Sequence, residues 1–195
     1  MQRVAIVGSS GSGKTTLGRL LSLRLGLPYL ELDGVYHQPG WQPLAPELFI
    51  DRVDSFTSGL RWVVDGNYMT AGAGPLIWER ADTIVWLDLA RGRVMWRLAR
   101  RTAARVLLRE ELWNGNRERL RNLLRREPQD NVLLWAWTRF TPLRQRYEEL
   151  ACTGAWAHAS VYRLRTSKEV RTFLSRLDAA VAPGRSSTSG STSDS

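Results

Sequence analysis

Nine consecutive residues near the start, Gly8-Ser9-Ser10-Gly11-Ser12-Gly13-Lys14-Thr15-Thr16, constrain this chain more than any other stretch. They fit G-x-x-x-x-G-K-[ST] without a gap, and their setting is the one that pattern needs. Arg3 to Val7 before them is β-branched and apolar, which reads as a strand. Thr16-Leu17-Gly18-Arg19-Leu20-Leu21 after them reads as a helix. A strand that turns through glycines into a helix points successive backbone N–H groups and the positive end of the helix dipole into one concavity suited to phosphate oxygens. Lys14 supplies a compact charge for the β- and γ-phosphates and Thr15 a hydroxyl for Mg²⁺. Gly8, Ser9, Ser10, Gly11, Ser12, Gly13 and Thr16 complete the nucleotide-binding loop. The expected ligands are ATP and Mg²⁺.

Composition adds to this in three ways. The chain holds 26 Arg but only two Lys, and one of the two is Lys14, the position where a guanidinium would be too wide. A net charge of +9 and a pI of about 10.7 call for an anionic partner, a role that nucleotide phosphates and nucleic acid can both fill. A single cysteine, Cys152, excludes a disulfide framework and a thiolate metal cluster. With no apolar run near the ~18–20 residues of a membrane span, and a strand rather than a signal peptide at the start, the expectation is a cytoplasmic protein.

The rest of the chain alternates strands with helices. A helix from about Gly13 to Leu25 ends at Gly26, and Tyr29-Leu30-Glu31-Leu32-Asp33 reads as a short strand followed by a loop from Gly34 to Pro43. Pro46 opens a second helix whose apolar face is Leu48, Phe49, Val53, Phe56 and Leu60, with Gly59 ending it. Arg61 to Asp65 is a strand, Gly72 to Pro75 a glycine-rich turn, and Ala81 to Asp88 a further strand. Residues 90–150 read as helical, with breaks at Glu110 to Asn116 and Pro128 to Asn131. Ser160 to Leu164 is the last strand, and Ser167 caps a helix through Leu177. From Pro183 the chain is mostly Gly, Ser and Thr with no large apolar residue, so 183–195 is expected to be a disordered tail. Short, almost wholly apolar strands imply a doubly wound α/β fold on a parallel five-stranded sheet covered on both faces. Ligands then bind beyond the carboxyl ends of the strands, where the phosphate loop, Asp33, Asp65 and Asp88 converge.

Phosphoryl transfer asks a protein for positioning and charge neutralisation. Asp33 can accept a proton from an acceptor hydroxyl or hold substrate, Asp65 can hold Mg²⁺ through water, and Asp88 reads as a cap. Arg93, Arg97, Arg101, Arg105 and Arg109 recur every fourth residue, which costs about 1–2 kcal/mol of self-repulsion in one helix. Something anionic should offset it, either Glu110, Glu111 and Glu118 or a bound phosphate. His37 and Trp41 lie in the loop after Asp33 within reach of a substrate, and His158 reads as structural.

With these residues laid out, the chain resembles the adenylate-kinase-like branch of P-loop kinases, and more narrowly the small bacterial topology-modulation kinases. The matching pieces are Gly8 to Thr16, Leu32-Asp33 through Pro39-Gly40-Trp41, Val64 to Tyr68, Ala81 to Asp88, Trp96-Arg97 with Arg100-Arg101, and Glu111 to Glu118. The resemblance implies one kinase domain over 1–182 with an arginine-rich helical lid at about 90–145. It places Asp65 near Mg²⁺, Arg97 with Arg100 or Arg101 where a lid closes over phosphates, and Arg165 in a loop that holds adenine. Where adenylate kinases follow Asp-Gly with Phe-Pro-Arg, this chain has Asn67-Tyr68-Met69, so the arginine for a nucleoside monophosphate is missing from that place.

The leading expectation is an ATP- and Mg²⁺-dependent kinase of a small molecule such as a nucleoside or nucleotide, with Lys14, Asp33, Arg97 and Arg101 as catalytic residues. The alternative is an NTP-binding regulator or nucleic-acid-associated NTPase, motivated by the charge and the arginine row but without a recognised DNA-reading motif. Sequence alone does not set the oligomeric state.

Overall fold

A computed structural model describes residues 1–69, 72–108, 111–117 and 131–181. Five strands form one parallel sheet: β1 (Arg3–Gly8), β2 (Tyr29–Glu31), β3 (Trp62–Asp65), β4 (Thr83–Leu87) and β5 (Ser160–Leu164), in the order β2-β3-β1-β4-β5. All four pairings are parallel, as the nearly continuous apolar runs predict. β1 is central, and Val4, Ala5, Ile6 and Val7 are all buried.

Alternation along each strand sends side chains to two cores. Ala5, Val7, Val64, Ile84 and Trp86 meet helices α3 (Pro46–Thr57), α4 (Ala73–Arg80) and α6 (Val132–Cys152) on one face. Val4, Ile6, Val63, Val85 and Leu87 meet α1 (Lys14–Leu25) and α7 (Ser167–Val181) on the other. Helix α5 (Arg91–Leu107) packs through Val94, beside Leu89, on Phe140 of α6. No described helix is long and apolar enough to cross a membrane.

Register fixes the chemistry at the carboxyl edge. Glu31 pairs with Asp65, and Asp65 with Ile6, so two carboxylates stand side by side at the ends of β2 and β3. Gly8 pairs with Leu87 at the mouth of the phosphate loop. A Cβ on Gly8 would lie 2.7 Å from the Leu87 carbonyl oxygen, at φ 146°, so only glycine fits there.

Several local expectations are corrected. The second strand stops at Glu31, and Leu32 and Asp33 open a short helix, α2 (Leu32–Tyr36), so Asp33 stands in a helix's first turn rather than at the strand end. Gly72 to Pro75 is not simply a turn: Gly72 is the N-cap of α4, and Pro75 sits in the first turn, where amides need no helical partner. Leu48 and Leu60 are exposed and leave the apolar face of α3 to Phe49, Val53 and Phe56. The last helix runs to Val181, and Thr166, not Ser167, caps it: the Glu169 amide donates to Thr166 Oγ1 at 3.1 Å. Arg109, Glu110, Glu118, residues 128–130 of the expected break and the 183–195 tail lie outside the described residues.

Candidate active site

The loop between β1 and α1 has the geometry its glycines permit. Gly11 is left-handed at φ 83°, and a Cβ there would come within 2.9 Å of Val94 O and Leu98 Cβ of α5. The base of α5 is thereby packed directly on the loop. Lys14 Nζ donates to Gly8 O at 2.9 Å and Ser9 O at 3.2 Å. Burial pushes its ammonium below the ordinary value, opposed by Asp65, Asp33 and Glu31 and reinforced by the charge of Arg101. Ser12 Oγ is buried without a hydrogen-bond partner in the floor of the loop.

Thr15 Oγ1 donates to Glu31 Oε1 at 3.1 Å, and Asp65 stands beside them. Burial raises the Asp65 carboxyl to about 7 against the pull of Lys14, with neighbouring Glu31 adding to the rise. Asp65 Oδ2 is buried and without a partner. An orphaned carboxylate oxygen beside a threonine hydroxyl is a donor set that fits a hydrated, hard divalent cation such as Mg²⁺. Among the described residues no three His, Cys, Asp or Glu side chains could hold a metal by themselves, so waters and phosphates would complete its shell.

Asp33 faces this pair from the next element. Tyr68 Oη donates to Asp33 Oδ1 at 2.7 Å, and among the described residues the other carboxylate oxygen takes no hydrogen bond. Tyr68 is wedged between Tyr36 and Phe49, with ring centroids 4.7 and 5.0 Å away. Neither Tyr68 nor Glu31 stood out in the sequence, because both act through partners distant in the chain.

Of the arginine row, Arg97 reaches the loop: its Nη1 lies 3.5 Å from Ser12 O and its Nη2 donates to Ser167 Oγ at 3.0 Å. Arg93 also reaches Ser167, at 3.3 Å. Arg101 is near enough for its charge to act on Lys14. Arg100 is not brought to the loop; it stacks on the exposed Trp96 ring, 4.9 Å from the centroid, because one residue turns a helix by about 100°. Arg165 does not line the phosphate loop either. Its side chain leans towards Asp88, 3.8 Å away, and remains largely exposed.

Asp88 is not a cap. It is buried at the end of β4 and gathers Arg144 of α6 at 2.7 Å and Arg163 of β5 at 2.8 Å. Ser9, Trp86, Phe140 and Tyr147 line a small cavity beside this cluster.

The loop after Asp33 is covered by residues 111–117. Asn116 is buried and takes the Trp41 amide on Oδ1 at 2.9 Å while its Nδ2 donates to Gln38 O at 2.9 Å and Trp113 O at 2.9 Å. Asn114 Nδ2 donates to Gly34 O and His37 O. These contacts hold Trp41 at φ 62°, which a bulky residue adopts only under constraint. Trp113 stacks on His37 at 6.0 Å. Trp41, considered for stacking on a substrate, is engaged edge-on with His37 and Trp113. His158 Nε2 is 2.9 Å from Trp78 O, the structural role expected of it.

With the geometry in place, comparison with known proteins narrows the fold. No protein-family model matches the chain. It is 32% identical over 120 residues to a shikimate kinase of Rhodopseudomonas palustris, covering 54% of this chain and 58% of that one. A shikimate kinase of Synechococcus sp. (strain RCC307) is 33% identical over 116 residues, covering 53% and 59%. The matches span a little under two thirds of the length of these relatives. A shikimate kinase from Acinetobacter baumannii, solved in complex with shikimate, superposes with a TM-score of 0.54 at 17% identity, covering 95% of this chain and 96% of that one. One from Bacteroides thetaiotaomicron gives 0.52 at 15% identity, covering 93% and 98%. The fold is the P-loop kinase fold. The five-stranded parallel sheet and its flanking helices are thus those expected from the loop and the strand pattern.

Proposed function

We propose that this chain is an ATP- and Mg²⁺-dependent kinase that phosphorylates a hydroxyl of a small molecule. One observation carries the reading: Lys14, Thr15 and Asp65 stand at the phosphate loop, and Asp33, held by Tyr68 through one oxygen, is near enough for its charge to act on both Lys14 and Asp65. In the reaction the acceptor oxygen attacks the γ-phosphorus, the bond to the β,γ-bridging oxygen breaks, ADP leaves, and the acceptor proton passes to Asp33. Lys14 follows the charge on the transferred group, with Arg97 and Arg101 beside it. Thr15 Oγ1 and Asp65, the latter through water, would hold Mg²⁺, which neutralises charge on the β- and γ-phosphates. Residues of about 90–145 serve as the lid, and Arg165 stands in the turn assigned to adenine.

The similarity to shikimate kinases supports a small-molecule kinase and makes shikimate a first acceptor to try. The narrower kinship with adenylate-kinase-like topology-modulation proteins rests on the residue matches given above, and Asn67-Tyr68-Met69 argues against a nucleoside monophosphate as acceptor. The lone cysteine is in keeping with a cytoplasmic enzyme.

The test is ADP release from Mg·ATP with and without shikimate, sugars, nucleosides, nucleotides and DNA. Acceptor-dependent release that falls by about 10²–10³ in Lys14→Ala supports a kinase. Release stimulated by DNA alone would favour the nucleic-acid-associated NTPase instead.

A further inference from the structure

The basic character of this chain is unevenly distributed. Of its 28 Lys and Arg, none falls between Leu25 and Asp51 or between Trp62 and Glu79. These two stretches supply β2, α2, β3 and the turn carrying Tyr68, which together form the floor beside Asp33. Their charges are all carboxylates, and three of them, Glu31, Asp33 and Asp65, are near enough to act on Lys14. His37 adds no cation, since burial pushes its imidazole below the ordinary value and Asp33 only partly opposes this.

What the floor offers instead is rings. Tyr36 lies 4.7 Å from Tyr68 and 5.2 Å from His37, centroid to centroid. His37 Nδ1 is buried without a partner. The described cations of this region come from other elements: Lys14 and Arg19 of α1, the latter paired with Glu31 at 3.2 Å, and the arginines of α5 and of residues 111–117. Arg97 and Arg101 stand by the loop, Arg105 lies over the Trp113 ring, and Arg117 is paired with Glu111 at 3.3 Å. The site is thus divided into a basic half, which suits the phosphates of a nucleotide, and an acidic, aromatic half at Asp33.

We propose that the acceptor is a hydroxyl-bearing ring compound with no negative charge, resting against the edges of Tyr36 and Tyr68 with its reacting hydroxyl at Asp33. The proposal rests on the kinase reading above and names its substrate class. A carboxylate or phosphate on this molecule would face Asp33, and the two stretches that build the floor supply no Lys or Arg to offset it, while Glu31 and Asp65 are already met by Arg19 at 3.2 Å and by Lys14. An uncharged ring meets the aromatic edges without that repulsion.

The experiment compares ring acceptors matched in shape and differing in charge: shikimate and its methyl ester, glucuronate and glucose, AMP and adenosine. With Mg·ATP and the full chain, the neutral member of at least one pair should stimulate ADP release with a kcat/KM about tenfold or more above its anionic twin. Stimulation led by the anionic members overturns this inference and leaves the kinase reading standing. A protein that binds Mg·ATP and releases no ADP with any member overturns the kinase reading and this inference with it.

Discussion

The hydroxyl of Tyr68 donates to one carboxylate oxygen of Asp33 over 2.7 Å, tying the turn after β3 to the first turn of α2. One oxygen is held by Tyr68, so in the proposed reaction the pair would fix which edge of the carboxylate meets an acceptor. A hydrogen bond to a charged group contributes about 1.5–3 kcal/mol. Tyr68→Phe keeps the ring packing on Tyr36 and Phe49 and removes only the donor. It should therefore lower kcat/KM for the acceptor by about ten- to a hundredfold while the KM for ATP stays unchanged. Equal loss in both parameters would show that Tyr68 serves the fold rather than Asp33.

Asp65 links stability to pH in a direction opposite to that of an ordinary paired carboxylate. Its folded value of about 7 lies above its ordinary 3.8, so the folded state holds a proton that the unfolded chain releases between those values. Stability from this group is complete below about pH 4 and is lost as pH rises towards 7. Asp65→Asn should stabilise the ligand-free protein at pH 8 by on the order of 1–2 kcal/mol once the lost partner of Lys14 is set against it, raising its melting temperature by roughly 2–8 °C, and should change little at pH 4. Turnover should fall in the same variant, because the carboxylate that would hold Mg²⁺ is gone. Thermal melts at the two pH values, without and with Mg·ATP, check both halves.

How far the sequence reveals this site differs from residue to residue. The phosphate loop and the strands that end in Asp65 and Leu87 are legible because their signals are local: glycine spacing in one case, unbroken apolar runs in the other. Asp33 was displaced by an ambiguity of the same kind, since apolar Leu32 reads as strand although β2 stops pairing at Glu31↔Asp65. α4 was hidden by Gly72, Gly74 and Pro75, which punctuate a chain in general but are compatible with a helix's first turn. Tyr68, Asn116 and Arg144 carry no local signal at all. Their partners lie 35, 75 and 56 residues away, and only the folded chain brings them together.

Asn116 makes the covering segment dependent on one side chain. Asn116→Ala would strand the Trp41 amide and the Gln38 carbonyl in a half-buried place, at about 1–2 kcal/mol per unpaired group. The cost falls on the contact between residues 111–117 and 34–41 rather than on the sheet. The expected result is a near-normal melting temperature, faster amide exchange at Trp41 and Trp113, and an acceptor KM raised about tenfold. A cooperative loss of the whole fold would show that the segment is part of the core.

The cluster on Asp88 sets the position of α6 against the sheet. The carboxylate is 2% exposed and receives Arg144 from α6 and Arg163 from β5, while Arg163 also lies 4.0 Å over the Trp86 ring. Removing the carboxylate leaves two guanidinium groups facing each other. Because Arg163 is 24% and Arg144 48% exposed, solvent relieves part of this, and Asp88→Ala should cost about 2–3 kcal/mol rather than the 3–5 of a fully buried pair. For a chain of this length that corresponds to a fall of roughly 5–10 °C in Tm. Replacing Arg144 by Met in the same protein should restore part of the loss, since it removes the repulsion while keeping apolar contact with Leu143 and Phe140. Additive effects of the two substitutions would show that Arg144 and Asp88 do not interact, and the packing of α6 next to Ser9 would then need another cause.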